Sequence, residues 1–124
     1  MGDIAADDDD LQLILDQGAV EAHLRALFNQ DFDKAHRVYR KDAVLKRPQY
    51  NQTISGRDNI KAARRERADR QLVKVNSVAG QGDLWVAECV FSDGKNSLLA
   101  VSVMEFSNGQ IAAEREYFCD LPLG

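Results

Sequence analysis

The stretch Leu98–Phe118 constrains the fold most. Two runs rich in β-branched and aromatic residues, Leu98–Phe106 and Ile111–Phe118, flank the dipeptide Asn108-Gly109. An Asn-Gly pair supplies the two positive φ angles of a tight hairpin turn, so the stretch reads as two antiparallel strands. In the first run Ala100, Ser102, Met104 and Phe106 share one face, and Val101, Val103 and Glu105 the other. In the second, Glu114, Glu116 and Phe118 lie opposite Ala113, Arg115 and Tyr117. Neither run alternates cleanly between apolar and polar residues, so both sheet faces are expected to be covered at least in part. Ionised carboxylates on such a face need partners or a hydrated pocket.

The strand pattern extends upstream. Leu72–Val78 and Asp83–Phe91 read as strands, bounded by the turn residues Gly80-Gln81-Gly82 and Ser92-Asp93-Gly94. Trp85, Ala87, Cys89 and Phe91 share one face of their strand, while the opposite face carries Glu88 among apolar residues. The first half of the chain is helical in pattern. Val20, Leu24, Leu27 and Phe28 form one apolar stripe of a helix over about 19–29, with His23 at its edge. A histidine so placed is a packing residue or a pocket residue, and the stripe alone does not separate the two. Asp31 reads as the cap of a third helix running to about Arg40, with Phe32, Ala35, His36 and Tyr39 as its stripe. Asp42–Leu45 leads into a strand that Arg47-Pro48 closes, and 49–53 reads as a polar loop. Ser55 and Asp58 have capping-box spacing, and the helix they open, to about Arg70, is dense in arginine. Its thin apolar edge makes it a peripheral helix with a solvated face; a surface for an acidic partner is the alternative.

At the start, Asp7–Asp10 precede Leu11, Ile14 and Leu15, as in a short helix with acidic residues at its N-terminus or an acidic tail, with Gly18 separating it from the next helix. This divides the chain into a segment 1–18 and one domain over 19–121. Helices first and antiparallel strands later argue an α+β architecture with helices packed on one sheet face. The other face, still apolar, is most simply covered by a second copy of the chain.

Charge and composition exclude some classes. A net charge of −4 over 124 residues argues against a nucleic-acid binder. No apolar run is long enough to span a membrane, and the acidic N-terminus lacks the basic region of a secretory signal. Cys89 and Cys119 fit no zinc or redox spacing, which suits reduced thiols in a cytoplasmic protein with no bound metal.

Four pieces together resemble a known family. They are Asn29–Tyr39, Asp42-Ala43-Val44 with Pro48, Ser55-Gly56-Arg57-Asp58-Asn59-Ile60, and Phe106–Ile111 ending in Arg115-Glu116-Tyr117-Phe118. In this order they are similar to the SnoaL-like branch of the nuclear transport factor 2-like superfamily, which also holds ketosteroid isomerases and limonene epoxide hydrolases. The resemblance covers roughly 19–120. It implies a cone: a curved antiparallel sheet wrapped around helices and a deep apolar pocket, often dimeric. It does not fix the chemistry, because one fold hosts many functions.

The carry-over of catalytic residues is mostly negative. The position of the isomerases' proton-shuttling Asp, just before the strand-closing proline, holds Arg47, which cannot accept a proton. Their oxyanion-binding Tyr matches His23, and their protonated Asp falls near Ser102. The Asp-Arg-Asp set of the epoxide hydrolases has no counterpart in sequence order. The basic Asp of SnoaL-like cyclases matches Glu116 or Asp120. Counted along the last strand from Ile111, the face bearing Glu114, Glu116 and Phe118 is assigned to the cone interior. A carboxylate there would have its pKa raised by desolvation, as a general base or acid requires.

Glu116 and His23 are therefore the candidate catalytic pair, with Glu116 in a structural ion pair as the competing reading. Arg47, Tyr39, Glu88, Ser102, Met104, Glu114, Phe118 and Asp120 are the candidate ligand-binding residues. The expected function is binding of a small apolar molecule. Chemistry on it would be isomerase-, cyclase- or hydratase-type proton transfer without cofactor; the alternative is a non-catalytic ligand-binding or dimerisation module. The expected assembly is a homodimer through the outer sheet face.

Overall fold

The computed structural model describes residues 11–121. Three helices are followed and flanked by six strands: α1 (Gln17–Phe28), α2 (Phe32–His36), β1 (Tyr39–Arg47), a 3₁₀ turn (Pro48–Tyr50), β2 (Gln52–Ser55), α3 (Arg57–Arg65), β3 (Gln71–Gln81), β4 (Leu84–Ser92), β5 (Ser97–Ser107) and β6 (Gln110–Asp120). The strands form one sheet in the order β2-β1-β6-β5-β4-β3. It is the curved, mostly antiparallel sheet of the expected α+β cone. The one parallel pair is β1 with β6, which lies between β1 and β5.

The hairpin β5–β6 turns at Asn108 and Gly109, both at positive φ, +52° and +77°. Its pairing is regular until Glu105, which faces Ala113, while the next residue, Phe106, faces Ile111. Ala112 is thus an extra residue, a β-bulge that bends the strand. The bulge has a consequence for the site. Strict alternation from Ile111 turns Glu114 outward, so counting from Ile111 does not justify the interior placement expected of Glu114 and Glu116; the extra residue does, because it lets Ile111 and Glu114 both face the interior, and Glu116 follows. On β4 the interior face is Trp85, Ala87 and Cys89. These pack with Val20, Leu24, Tyr39, Leu45, Ile60 and Met104 in one continuous core.

Several local expectations change. The run Asp7–Asp10 lies outside the described residues. Its continuation, 11–15, is neither helix nor strand. Leu11 N–H donates to Arg37 C=O at 2.9 Å and Leu13 N–H to Gly109 C=O at 2.7 Å, while Leu11, Leu13 and Leu15 pack against the core. The segment is a strap across the hairpin turn. Helix α1 starts earlier than expected because the Asp16 side chain caps it, accepting from Ala19 N–H at 2.8 Å; Gly18 lies inside the first turn. Helix α2 does begin at the Asp31 cap, but it ends at His36. Tyr39 is a strand residue paired to Ile111, because backbone pairing with β6 takes the chain over from the helical stripe. The segment 49–53 holds the 3₁₀ turn and the start of β2, which pairs with the end of β1. Ser55 is not a cap: Gly56, at φ +95°, is the N-cap of α3 and no side chain caps that end. The helix stops at Arg65, and Arg67 and Arg70 lie in the turns beyond it. Among the described residues no helix is long and apolar enough to cross a membrane.

Candidate functional site

The polar centre of the cone is built around Arg64. On α3, Arg57, Ile60 and Arg64 recur at helical spacing and face inward, so the helix turns arginine as well as isoleucine toward the core. One terminal nitrogen of Arg64 donates to the Tyr39 hydroxyl at 2.7 Å and meets His36 Nε2 at 3.1 Å. The other donates to Glu114 Oε1 at 3.1 Å and Glu116 Oε2 at 2.8 Å. Glu114 also accepts from the hydroxyls of Tyr39 and Ser102. Glu116 gives its second oxygen to Arg47, whose Nε donates at 3.0 Å. Arg47 reaches Gln52 Oε1 at 3.2 Å. The arrangement is a carboxylate–guanidinium–carboxylate bridge, with a second guanidinium on its outer carboxylate. Two positive and two negative charges balance within it, as buried charges require.

The sheet register explains the pairing. Parallel alignment of β1 with β6 matches Leu45 to Glu114 and Lys46 to Arg115, so Arg47 falls beside Glu116. On β5, Met104 is opposite Glu114 and Ser102 opposite Glu116. Gln49 clips the far end: its side chain accepts from Phe118 N–H at 2.6 Å and donates to Phe118 C=O at 2.8 Å. That fixes the 3₁₀ turn to β6 and sets Tyr50 beside the Phe118 ring, with centroids 6.4 Å apart.

The surroundings set the ionisation states. Burial pushes the Glu114 carboxyl up, but the Arg64 charge and the hydrogen bonds from Ser102, Tyr39 and Arg64 together hold it below its ordinary value. This reverses the expectation that desolvation would win at this carboxylate. Burial, then the Arg64 charge, lowers His36 to about 3. His36 Nδ1 is 2.7 Å from the Phe32 carbonyl, which only accepts, and Arg64 only donates. The ring is therefore the neutral tautomer with its proton on Nδ1. Burial also lowers His23 to about 4, and burial raises the Tyr39 phenol well above its ordinary value.

Above this network lies a cavity of about 440 Å³. Leu27, Phe32, Leu72, Phe91, Leu98 and Phe118 supply its apolar walls. Arg47, Arg64, Arg67, Arg70, Glu116 and Asp120 also line it, with Gln30 and Gln52.

The structure brings together some of the sequence candidates and separates others. Glu116, Arg47, Phe118 and Asp120 line the cavity. Glu114, Ser102 and Tyr39 lie beneath it, joined through Glu114. His23 does not converge with Glu116. It is buried edge-on to Tyr39, with ring centroids 5.9 Å apart, and its Nδ1 has no hydrogen-bond partner among the described residues. Met104 is sealed in the core. Glu88 belongs to the opposite sheet face, between inward Ala87 and Cys89, and takes a hydrogen bond from Asn76 at 3.3 Å. Among the described residues no three His, Cys, Asp or Glu side chains gather as metal ligands would.

Sequence reasoning missed Arg64, His36 and the arginines after α3. One signal was available for Arg64: it stands four residues after Ile60, on the only strongly buried line of an otherwise charged helix. Nothing in the sequence marked Arg70, which reaches the cavity from a turn.

Comparison with known proteins agrees with the architecture. Residues 20–114 match the SnoaL-like domain model. Among solved structures, an NTF-2 like protein of unknown function from Burkholderia xenovorans LB400 is 34% identical, with 87% of this chain and 85% of that chain covered and a TM-score of 0.78. A proposed ketosteroid isomerase from Kribbella flavida DSM 17836 is 17% identical, with 85% and 78% covered and a TM-score of 0.77. An LEH-like epoxide hydrolase of M. tuberculosis is 25% identical, with 81% and 79% covered and a TM-score of 0.67. No curated protein gives a significant match.

Proposed function

Because this chain belongs to the SnoaL-like domain family, we propose that its cavity binds a small, largely apolar molecule without the help of a cofactor. One observation carries the reading: a cavity of about 440 Å³ is lined by large apolar side chains and, in similar measure, by polar ones that include the ion-paired Arg47, Glu116 and Arg64. Small-molecule sites are typically clefts of roughly 300–1,000 Å³ with apolar walls and a few placed polar groups. The free thiols Cys89 and Cys119 suit a reducing compartment, and the proposal places the protein in the cytoplasm.

A second reading adds chemistry, of the isomerase, cyclase or hydratase type. It is favoured by the position of Glu116, which lines the cavity while each of its oxygens accepts from one arginine. A carboxylate oxygen has a further lone pair with which to take a proton from a substrate. Arg47 would then stabilise negative charge developing on the substrate. The solved structures described as an isomerase and an epoxide hydrolase supply only the reaction class.

Glu116→Gln separates the two readings. Native mass spectrometry of protein purified from its own source should show a retained small molecule in wild type and variant alike. If Glu116 is the base, turnover of that molecule should fall by about 100-fold or more. If the melting temperature drops and turnover stays, Glu116 is an ion-pair residue and is not the base; if the wild type does not turn the molecule over at all, binding alone stands. A wild-type protein that retains nothing and binds no compound of suitable size would sink both.

The proposal includes a homodimer. Val86, Val90, Leu99, Val101, Val103 and Tyr117 share the outer sheet face across β4, β5 and β6, an apolar surface that Glu88 and Arg115 interrupt. Covering such a patch releases water from apolar surface. Sedimentation at micromolar concentration should give the mass of two chains; a single-chain mass there would remove this part of the proposal.

A further inference from the structure

The arginines of the cavity are unequally partnered. Arg64 is held by four groups and Arg47 by Glu116 and Gln52. Arg67 reaches Asp69 at 3.3 Å. Arg70 is different. It lines the cavity, partly buried, with its guanidinium 5.7 Å from the centroid of the Phe118 ring. Among the described residues it has no ion pair, although Asp120 also lines the cavity. Burial is the largest influence disfavouring its cation, and the like charges of Arg67 and Arg47 are set against Asp69 and Tyr50. A cation held against an aromatic face inside a cavity, among other cations, is a site short of one anion.

We infer that the ligand of this cavity carries an anionic head group, a carboxylate on an apolar body, and that Arg70, backed by Arg47, binds it. The inference rests on the reading that the cavity holds a small molecule. The planar guanidinium offers two parallel N–H donors that match a carboxylate. Phe118 holds that plane in place from one side. Gln49 in turn fixes Phe118 by its paired hydrogen bonds to the backbone. With the head group at Arg70, the apolar body lies against Leu72, Phe91 and Leu98. Exposed Asp120 is screened by solvent and does not cancel the attraction. Arg64 takes no part in this step, because its donors are already committed to His36, Tyr39, Glu114 and Glu116.

Calorimetric titration with a panel of naphthalene and cyclohexane carboxylates, each paired with its neutral methyl ester, tests this at neutral pH. The acids should bind at least about 10-fold more tightly than their esters, as one charge-assisted hydrogen-bond pair provides. Arg70→Gln should bring each acid to the level of its ester and leave the esters unchanged, while Arg70→Lys should restore part of the preference. Equal affinity of acids and esters for the wild type overturns the inference and leaves the small-molecule reading intact. An acid preference that survives in a natively folded Arg70→Gln protein overturns it too. If neither acids nor esters bind, the inference of a carboxylate on such an apolar body is overturned, while the small-molecule reading is decided separately by the ligand retained in native mass spectrometry.

Discussion

Gly109→Ala should cost about 3 kcal/mol of folding stability and lower the melting temperature by about 10 °C. Two effects add. Gly109 sits at φ +77°, where a side chain strains the backbone by about 1–2 kcal/mol. A Cβ at this position would also lie 2.3 Å from Leu13 O and 2.8 Å from Leu13 N. Those are backbone atoms of the strap, held there by the hydrogen bond from Leu13 N–H to Gly109 C=O. They cannot swing aside as a side chain would. The strap must lift, and the packing of Leu11, Leu13 and Leu15 goes with it. Gly82→Ala is the control, because its φ is +61° but no atom lies within 4 Å of the added carbon. It should show the strain alone, about 1 kcal/mol. Urea denaturation of both variants, repeated in a chain lacking residues 1–15, separates the effects. Without the strap, the Gly109→Ala penalty should shrink to that of Gly82→Ala; an undiminished penalty would refute the contact.

Arg64→Met should be the most damaging single change in the site, at about 4 kcal/mol near neutral pH. The side chains of Arg64, Glu114 and Glu116 are only 11%, 5% and 14% exposed. Among the described residues, removing the shared guanidinium leaves Glu114 with no cation at hydrogen-bond distance and Glu116 with Arg47 alone. An unpaired buried carboxylate costs more than the pair contributes. The penalty should depend on pH with a definite sign. In the native protein Glu114 lies below its ordinary 4.5, so its ionised form contributes stability above that pH. That contribution is lost as pH falls through the folded value. In the variant, burial is no longer opposed by Arg64 and raises the Glu114 carboxyl, which then takes up a proton on folding. The variant's deficit should therefore be full near neutral pH and shrink as pH falls toward 4.5. Urea midpoints for both proteins at about pH 7.5 and about pH 5 test this. A deficit of the same size at both would mean that Glu114 is not left as a buried charge.

The hairpin, the helices-first order and the residues that share a face of β4 were legible in the sequence, although which face of β4 is interior was not. Each is set by short-range rules. Asn108-Gly109 adopts its turn because two adjacent residues tolerate positive φ. Trp85, Ala87 and Cys89 share a face because a strand alternates. Asp31 caps α2 by reaching Lys34 N–H, three residues on. Where two local patterns competed, sequence reading failed. Phe32, Ala35, His36 and Tyr39 have helical spacing, yet Tyr39 is in β1, because pairing with Ile111 on a distant strand decided it.

The candidate site was legible only in outline. Glu116, Arg47 and Phe118 were named, and Arg64 was not. The interior position of Glu114 and Glu116 depends on the bulge at Ala112, which no alternation in the sequence reveals. Arg64 meets Glu114 and Glu116 across 50 and 52 residues of chain. In an arginine-rich helix, the sequence does not say which guanidinium is buried. What the sequence determined by itself was the conformation of turns, caps and alternating strands, because backbone sterics and side-chain direction act within a few residues. What only the tertiary structure decided was which charges are buried and how they pair. A buried charge is tolerated only where the fold brings its counter-charge within hydrogen-bonding distance, and that distance is a property of the assembled sheet and helices.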